Sequence, residues 1–215
     1  MEMTYNLGLL IKIGDEQHID KLQKSGLIYS KTVKYFRERE IEEFELRRDK
    51  HEGAQSSIRI NNLKLSVDNQ ELPFKFRKGR FSTFNQNIDF SHIFCLYAAS
   101  EEQANGKPFV DERVASFGNT ALLITNPGEF IRRVEEFSRN NFGCSYNLVK
   151  YYPDNKDYSQ LTVFHKPDYY NFQREFRFHF DHITEEDLVF EIGSIEDISI
   201  KMEAAKLVGL TMEKK

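Results

Sequence analysis

The chain has 215 residues, enough for one large domain or two small ones, and its 40% hydrophobic and 13% aromatic residues can furnish a sizeable core. A formal net charge of -4 argues against broad wrapping of nucleic acid. No apolar run approaches the ~18 residues of a membrane-spanning helix. Two cysteines, Cys95 and Cys144, make no disulfide framework, no Cys/His spacing predicts a zinc site, and Met1 to Tyr5 lacks the basic and apolar regions of a secretion signal. The expectation is therefore a cytoplasmic protein with free thiols and no metal.

In chain order, residues 7–13 read as a short apolar strand ending at Gly14. Asp15 is placed to cap a helix over 16–25, with Ile19 and Leu22 on one face, and Gly26 ends it. Residues 27–30 read as a strand and the charged stretch 31–46 as a helix with Tyr35, Phe36, Ile41 and Phe44 as its apolar contacts. Arg47 to Gly53 is a dense charged turn. Residues 57–67 and 72–78, separated by Asp68-Asn69, predict a β-hairpin. Residues 92–98 form a compact apolar strand, 101–108 a polar loop and 121–125 a buried strand. After Asn126-Pro127-Gly128, residues 129–139 predict an amphipathic helix whose inner face carries Phe130, Ile131, Val134 and Phe137. Strands follow at 146–152, 188–192 and 198–202. Short, mostly antiparallel strands with about three helices predict a single α+β domain spanning 1–215.

Residues 165–180 carry the most chemistry. His165-Lys166-Pro167-Asp168 forms a turn-like entry, and a strand follows over Phe172 to Phe180. Side chains alternate across a strand, so Phe176, Phe178 and Phe180 share one face, and Glu175, Arg177 and His179 the other. The aromatic face needs a core, and the charged face needs solvent or a site. Glu175 is either a cross-strand partner of Arg177 or a functional carboxylate. Arg177 either holds Glu175 or grips a phosphate or carboxylate with two parallel hydrogen bonds. Pro167 keeps the Lys166 backbone extended, so Lys166 is either an ordinary loop lysine or a phosphate ligand. Tyr169 and Tyr170 are core or rim aromatics, or platforms for a base or ribose. In the charged turn, Arg48, Asp49 and Glu52 are the candidates, because Gly53 permits a tight turn that aims them inward. Lys75 to Arg80, with Phe76 and Phe81 interleaved, is either an exposed strand or a stacking groove for a single nucleic-acid strand.

The order of several pieces resembles an uncharacterised family of bacterial and phage domains associated with phage defence and abortive infection. These pieces are Gly26-Leu27-Ile28-Tyr29-Ser30, Tyr35-Phe36-Arg37, His92 to Ser100, Phe117 to Ile124, Val149-Lys150-Tyr151-Tyr152 and Phe164 to Arg177. Tyr170-x-x-Gln173-x-Glu175 is also similar to the acidic loop of mono-ADP-ribosyltransferases. That second resemblance implies NAD as cofactor, Glu175 stabilising a ribosyl cation and Gln173 choosing the acceptor, as a fixed carboxylate lowers the barrier to C–N cleavage. It also places Lys12 where the superfamily has a strand Arg or His. For the superfamily's Ser-Thr-Ser motif it offers Ser82-Thr83-Phe84 or Ser100. Tyr29 and Arg177 would shape the pocket.

Three readings follow. The chain is a defence or toxin-like enzyme with an ADP-ribosyltransferase-like core acting on NAD or another nucleotide. Alternatively it is a non-catalytic module that binds a nucleotide signal or a protein in a defence or anti-defence system. The third reading is a nucleic-acid binder using Lys75 to Arg80 and the 47–53 turn.

Overall fold

The computed structural model of the chain describes residues 8–38, 49–68, 70–100 and 109–210. The architecture is α+β and its centre is an antiparallel sheet. Strand β5 (His92–Ala99) is the axis of that sheet. Along one edge it pairs with β10 (Glu175–Phe180), which pairs in turn with β7 (Cys144–Leu148). Its other edge is shared. The end of β2 (Leu27–Thr32) pairs at His92 and Ile93, and β1 (Leu9–Gly14) pairs at Tyr97 to Ala99. From these the sheet continues outward through β11 (Leu188–Glu191) beside β2, and through β6 (Thr120–Ile124) and β12 (Ser199–Glu203) beside β1.

One sheet face is the apolar core. Leu10, Phe94, Leu96, Leu122, Ile124 and the three phenylalanines of β10 pack under α1 (Glu16–Ser25) and α5 (Pro127–Arg139). Phe176, Phe178 and Phe180 are fully buried, each contributing about 1.5–3 kcal/mol of transfer free energy. Helix α5 forms where its composition predicts. The Asn126 side chain accepts the Glu129 amide, Pro127 fills the first turn, and Phe130, Ile131 and Val134 face inward. Helix α1 stops at Gly26, whose φ of 66° suits glycine; a β-carbon there would lie 2.1 Å from the Gly193 carbonyl oxygen. Asp15 precedes α1, but its carbonyl rather than its side chain receives the first helical amides.

The opposite face is divided. At one end Ile11, Tyr97, Ala121 and Leu123 pack against Val110, Phe172, Leu207 and Val114 of the one-turn helix α4 (Glu112–Ala115). At the other end Ile93 packs with Val33, Val163 and Ile88 of the one-turn helix α3 (Gln86–Asp89). Glu175 and Arg177 emerge between these clusters, opposite Tyr97 and Cys95 on β5.

Local structure departs from the sequence expectations at four places. The stretch after residue 30 continues as strand to Thr32 before a short helix, α2 (Val33–Glu38), and residues 39–46 lie outside the described residues. The expected strand over 146–152 is broken at Val149. Its second part, β8 (Lys150–Tyr152), leaves the sheet to pair in parallel with β9 (His165–Pro167). Residues 168–173 form 3-10 turns, so β10 begins only at Glu175. The hairpin is longer than expected, with β3 (Ser56–Val67) and β4 (Gln70–Thr83) forming a ribbon tied to the rest at its base. There Ser57 exchanges backbone hydrogen bonds with Tyr158, and Arg59 and Arg80 reach Asp157 and Asp154. The loop expected over 101–108 lies outside the described residues. Among the described residues, no helix is long and apolar enough to cross a membrane, and no group of three His, Cys, Asp or Glu side chains is placed to hold a metal ion.

Candidate functional site

The charged face of β10 is covered, not solvated. Two segments close over it: residues 49–54, and the chain from Leu161 to Gln173. Three carboxyls (Asp49, Glu52, Glu175) and two cations (Lys166, Arg177) are buried there together. Arg177 is held on every side. Its Nη1 and Nη2 donate to Glu52 at 2.6 and 3.0 Å, its Nη2 and Nε donate to Glu175 at 2.8 and 3.2 Å, and Nη1 also donates to the Val163 carbonyl. Lys166 Nζ donates to Gln173 Oε1 at 2.7 Å and to Glu175 Oε1 at 2.5 Å, and lies 3.8 Å from Glu52 Oε2 and 5.0 Å from the Tyr170 ring centre.

Local backbone explains this convergence. In the 49–54 segment the Asp49 carbonyl accepts the Glu52 amide, and Gly53 turns with φ of 74°. A β-carbon on Gly53 would meet Val33 Cγ1 at 2.5 Å. Arg37 steadies this segment, donating to the Glu52 carbonyl at 3.3 Å while paired with Asp89 at 2.6 and 2.7 Å. Arg174 has a left-handed backbone with φ of 39°, an uncommon conformation for a residue with a side chain. It lies where the 3-10 turns hand over to β10, and the residues on either side of it, Gln173 and Glu175, meet on the one ammonium. The Tyr151 hydroxyl accepts the Glu175 amide at 3.0 Å.

The electrostatics follow from who touches whom. Burial pushes the Glu175 carboxyl up, but Lys166 and Arg177 outweigh it and hold it well below the usual carboxylate range. Burial opposes the charge of Lys166 too, yet Glu175 and Glu52 keep it firmly protonated. Asp49 is different. It is completely buried, its Oδ1 accepts the His51 amide at 2.9 Å, and its Oδ2 has no hydrogen-bond partner. Burial and the Glu52 charge push its carboxyl up to about 7, against the pull of Lys166 and Arg177. Three tyrosines sense the same carboxyl: burial first, then Asp49, raises the hydroxyls of Tyr152, Tyr169 and Tyr170. Tyr169 is half exposed and its ring centre lies 4.5 Å from that of Tyr170.

The structure thus brings together Asp49, Glu52, Lys166, Tyr170, Gln173, Glu175 and Arg177, from segments up to 125 residues apart. It does not bring Lys12, Tyr29 or Ser100 to them. Lys12 points to the helix-covered face, its Nζ 4.1 Å from the Phe94 ring centre and donating to the Cys95 carbonyl at 2.9 Å. Tyr29 is exposed, with its hydroxyl on Asp187 beside Lys31. Ser100 follows the far end of β5, beyond Tyr97. Arg48 lies outside the described residues. Ser82 lies beside the cluster's loop, its hydroxyl 3.1 Å from His51 Nδ1. Arg80 is held by Ser57 Oγ at 2.6 Å and Asp154 at 3.0 Å. Tyr151 and Tyr152 were missed as site residues. Their signal was the Lys-Tyr-Tyr run, which read as plain strand. A surface hollow of about 540 Å³, lined by Glu135, Arg139, Phe142 and Cys144 among others, adjoins the opposite end of β10, where Cys144 pairs with Phe180.

No family model, curated protein or solved structure matches the chain.

Proposed function

We propose that the chain is a non-catalytic nucleotide-binding module of a cytoplasmic phage-defence or anti-defence system, with the Asp49–Glu52–Lys166–Glu175–Arg177 cluster as the floor of its ligand site. The carrying observation is Asp49. A buried carboxyl oxygen without a partner costs about 1–3 kcal/mol, a cost that a ligand donor would remove. Strongly perturbed carboxyls of this kind concentrate at functional sites. The defence setting rests on the resemblance of the motifs ending in Phe164 to Arg177.

An ADP-ribosyltransferase-like reaction asks Glu175 to turn an ionised oxygen towards a ribosyl cation. Here both of its oxygens bind Lys166 and Arg177, which leaves neither turned towards a ribosyl cation. A nucleic-acid role would rest on the β3–β4 ribbon, whose residues 60–79 carry four basic and two acidic side chains. The buried cluster plays no part in that reading.

The test is a thermal-shift screen with NAD, mononucleotides and cyclic dinucleotides. A ligand at a hundred times its Kd adds about 2.7 kcal/mol, which for a chain of this size raises Tm by roughly 5–10 °C. The expected result is such a shift without product formation. No shift across the panel rejects the binding reading, and NAD turnover abolished by Glu175→Gln replaces it with the enzymatic one.

A further inference from the structure

We propose that Asp49 reads a hydrogen-bond donor on the nucleoside part of the ligand, a ribose hydroxyl or a base N–H, and that the ligand's phosphates stay outside the buried centre. This rests on the nucleotide-binding reading and specifies which end of the nucleotide enters.

The donor inventory makes the case. Arg177 has five N–H groups, and all five are engaged: two on Glu52, two on Glu175 and one on the Val163 carbonyl. It has none left for a phosphate. Lys166 gives two of its three hydrogens to Gln173 and Glu175 at 2.7 and 2.5 Å. Its third hydrogen lies nearest Glu52, whose Oε2 is 3.8 Å from Nζ. Glu52 and Glu175 already match the two cations one for one. Asp49 is the surplus acid. A phosphate would add negative charge to a dry centre that already holds one carboxyl too many, where uncompensated charge is most costly.

A donor has the opposite effect. Above pH 7, where Asp49 is ionised, an N–H or O–H placed on its Oδ2 satisfies the one unpartnered carboxyl oxygen of the cluster. The tyrosines suit the same half of a nucleotide. Tyr169, half exposed, presents its ring beside that of Tyr170, 4.5 Å away and tilted by 48°, an apolar surface for a base or a ribose.

The experiment titrates the intact chain at pH 8, where Asp49 is ionised, with adenosine, guanosine, their diphosphates, NAD and sodium pyrophosphate, by calorimetry, for wild type, Asp49→Asn and Tyr169→Ala. In Asp49→Asn the amide nitrogen takes the place of the free oxygen, because Oδ1 stays on the His51 amide. The expected result is that at least one nucleoside binds within about tenfold of its diphosphate and that pyrophosphate does not bind. Asp49→Asn should weaken the nucleoside at least about tenfold, matching the roughly 1.5 kcal/mol of one hydrogen bond. Tyr169→Ala, on a half-exposed side chain, should weaken it as well. Diphosphates and pyrophosphate binding while nucleosides do not would overturn this inference and leave the nucleotide-binding reading standing. So would a nucleoside that binds Asp49→Asn and Tyr169→Ala as tightly as wild type. If no compound binds, both readings fall.

Discussion

Asp49 sits at about 7 in the folded chain against 3.8 for an ordinary aspartate, because burial and Glu52 disfavour its charge. The native state therefore keeps a proton that the unfolded chain releases between about pH 4 and 7. The contribution of this group is present at pH 4 and is lost as pH rises through 7, with a slope of up to about 1.4 kcal/mol per pH unit. Glu175 has the opposite sign. Its depressed carboxyl stabilises above the ordinary carboxylate range, and that stability is lost in acid. The lowered His51, His165 and His179 also favour the folded state as pH rises. Comparison with Asp49→Asn isolates one group from this mixture. Urea unfolding at pH 5 and pH 8 should show the variant gaining about 2 kcal/mol on wild type over that interval, and parallel changes in the two proteins would contradict the assignment. Arg177→Met leaves Glu52 and Glu175 buried without their guanidinium, at an expected cost of about 3–5 kcal/mol by the same denaturation. A loss below about 1 kcal/mol would show that the cluster does not fasten the 49–54 segment to the sheet.

Strand β10 shows how one element serves two masters. Its alternate residues enter the apolar core and the charged cluster, and all six are buried. The period of two was readable in Glu175 to Phe180, but the cover over the charged face was not. That cover comes from residues 49–54 and 161–173, whose turns and three-residue strand are too short to show a sequence period. The 3-10 turns of residues 168–173 were hidden for a related reason: Phe172 reads as the next inward residue of the strand, yet it packs against Val114 and Leu207 from a turn. The β3–β4 ribbon is the contrasting element. It pairs from Ser56 and Thr83 to Val67 and Gln70, and among the described residues its side-chain ties to the rest lie at Arg59, Arg80 and Ser82. Replacing residues 60–79 by Asn-Gly keeps those ties and supplies a favoured two-residue turn. Melting should then move by no more than about 1 kcal/mol in equivalent stability; a collapse of the cooperative transition would mean that the distal ribbon holds up the body.

Across the molecule, the long helices α1 and α5 cover one sheet face, and short helices, turns and loops cover the other. β5 is bonded along both edges, and with β10 it carries the largest block of fully buried phenylalanine. Their amides should exchange with solvent only through global unfolding, and those of the ribbon beyond Arg59 and Arg80 through local opening. Native-state hydrogen exchange resolved by residue checks this, and equal protection of ribbon and β5 would refute it.

What the amino-acid order determined alone is local: the alternation in β10, the amphipathic faces of α1 and α5, the stop at Gly26, and hence an α+β chain. These depend on contacts within a few residues. The tertiary structure decided the rest. Glu52 meets Arg177 across 125 positions. Lys12 turns away from Glu175 because Leu10 pairs with Ala98 while Glu175 pairs with Tyr97, which sets them on opposite faces. Register between strands is fixed by the summed burial of both faces, a quantity that no single segment contains.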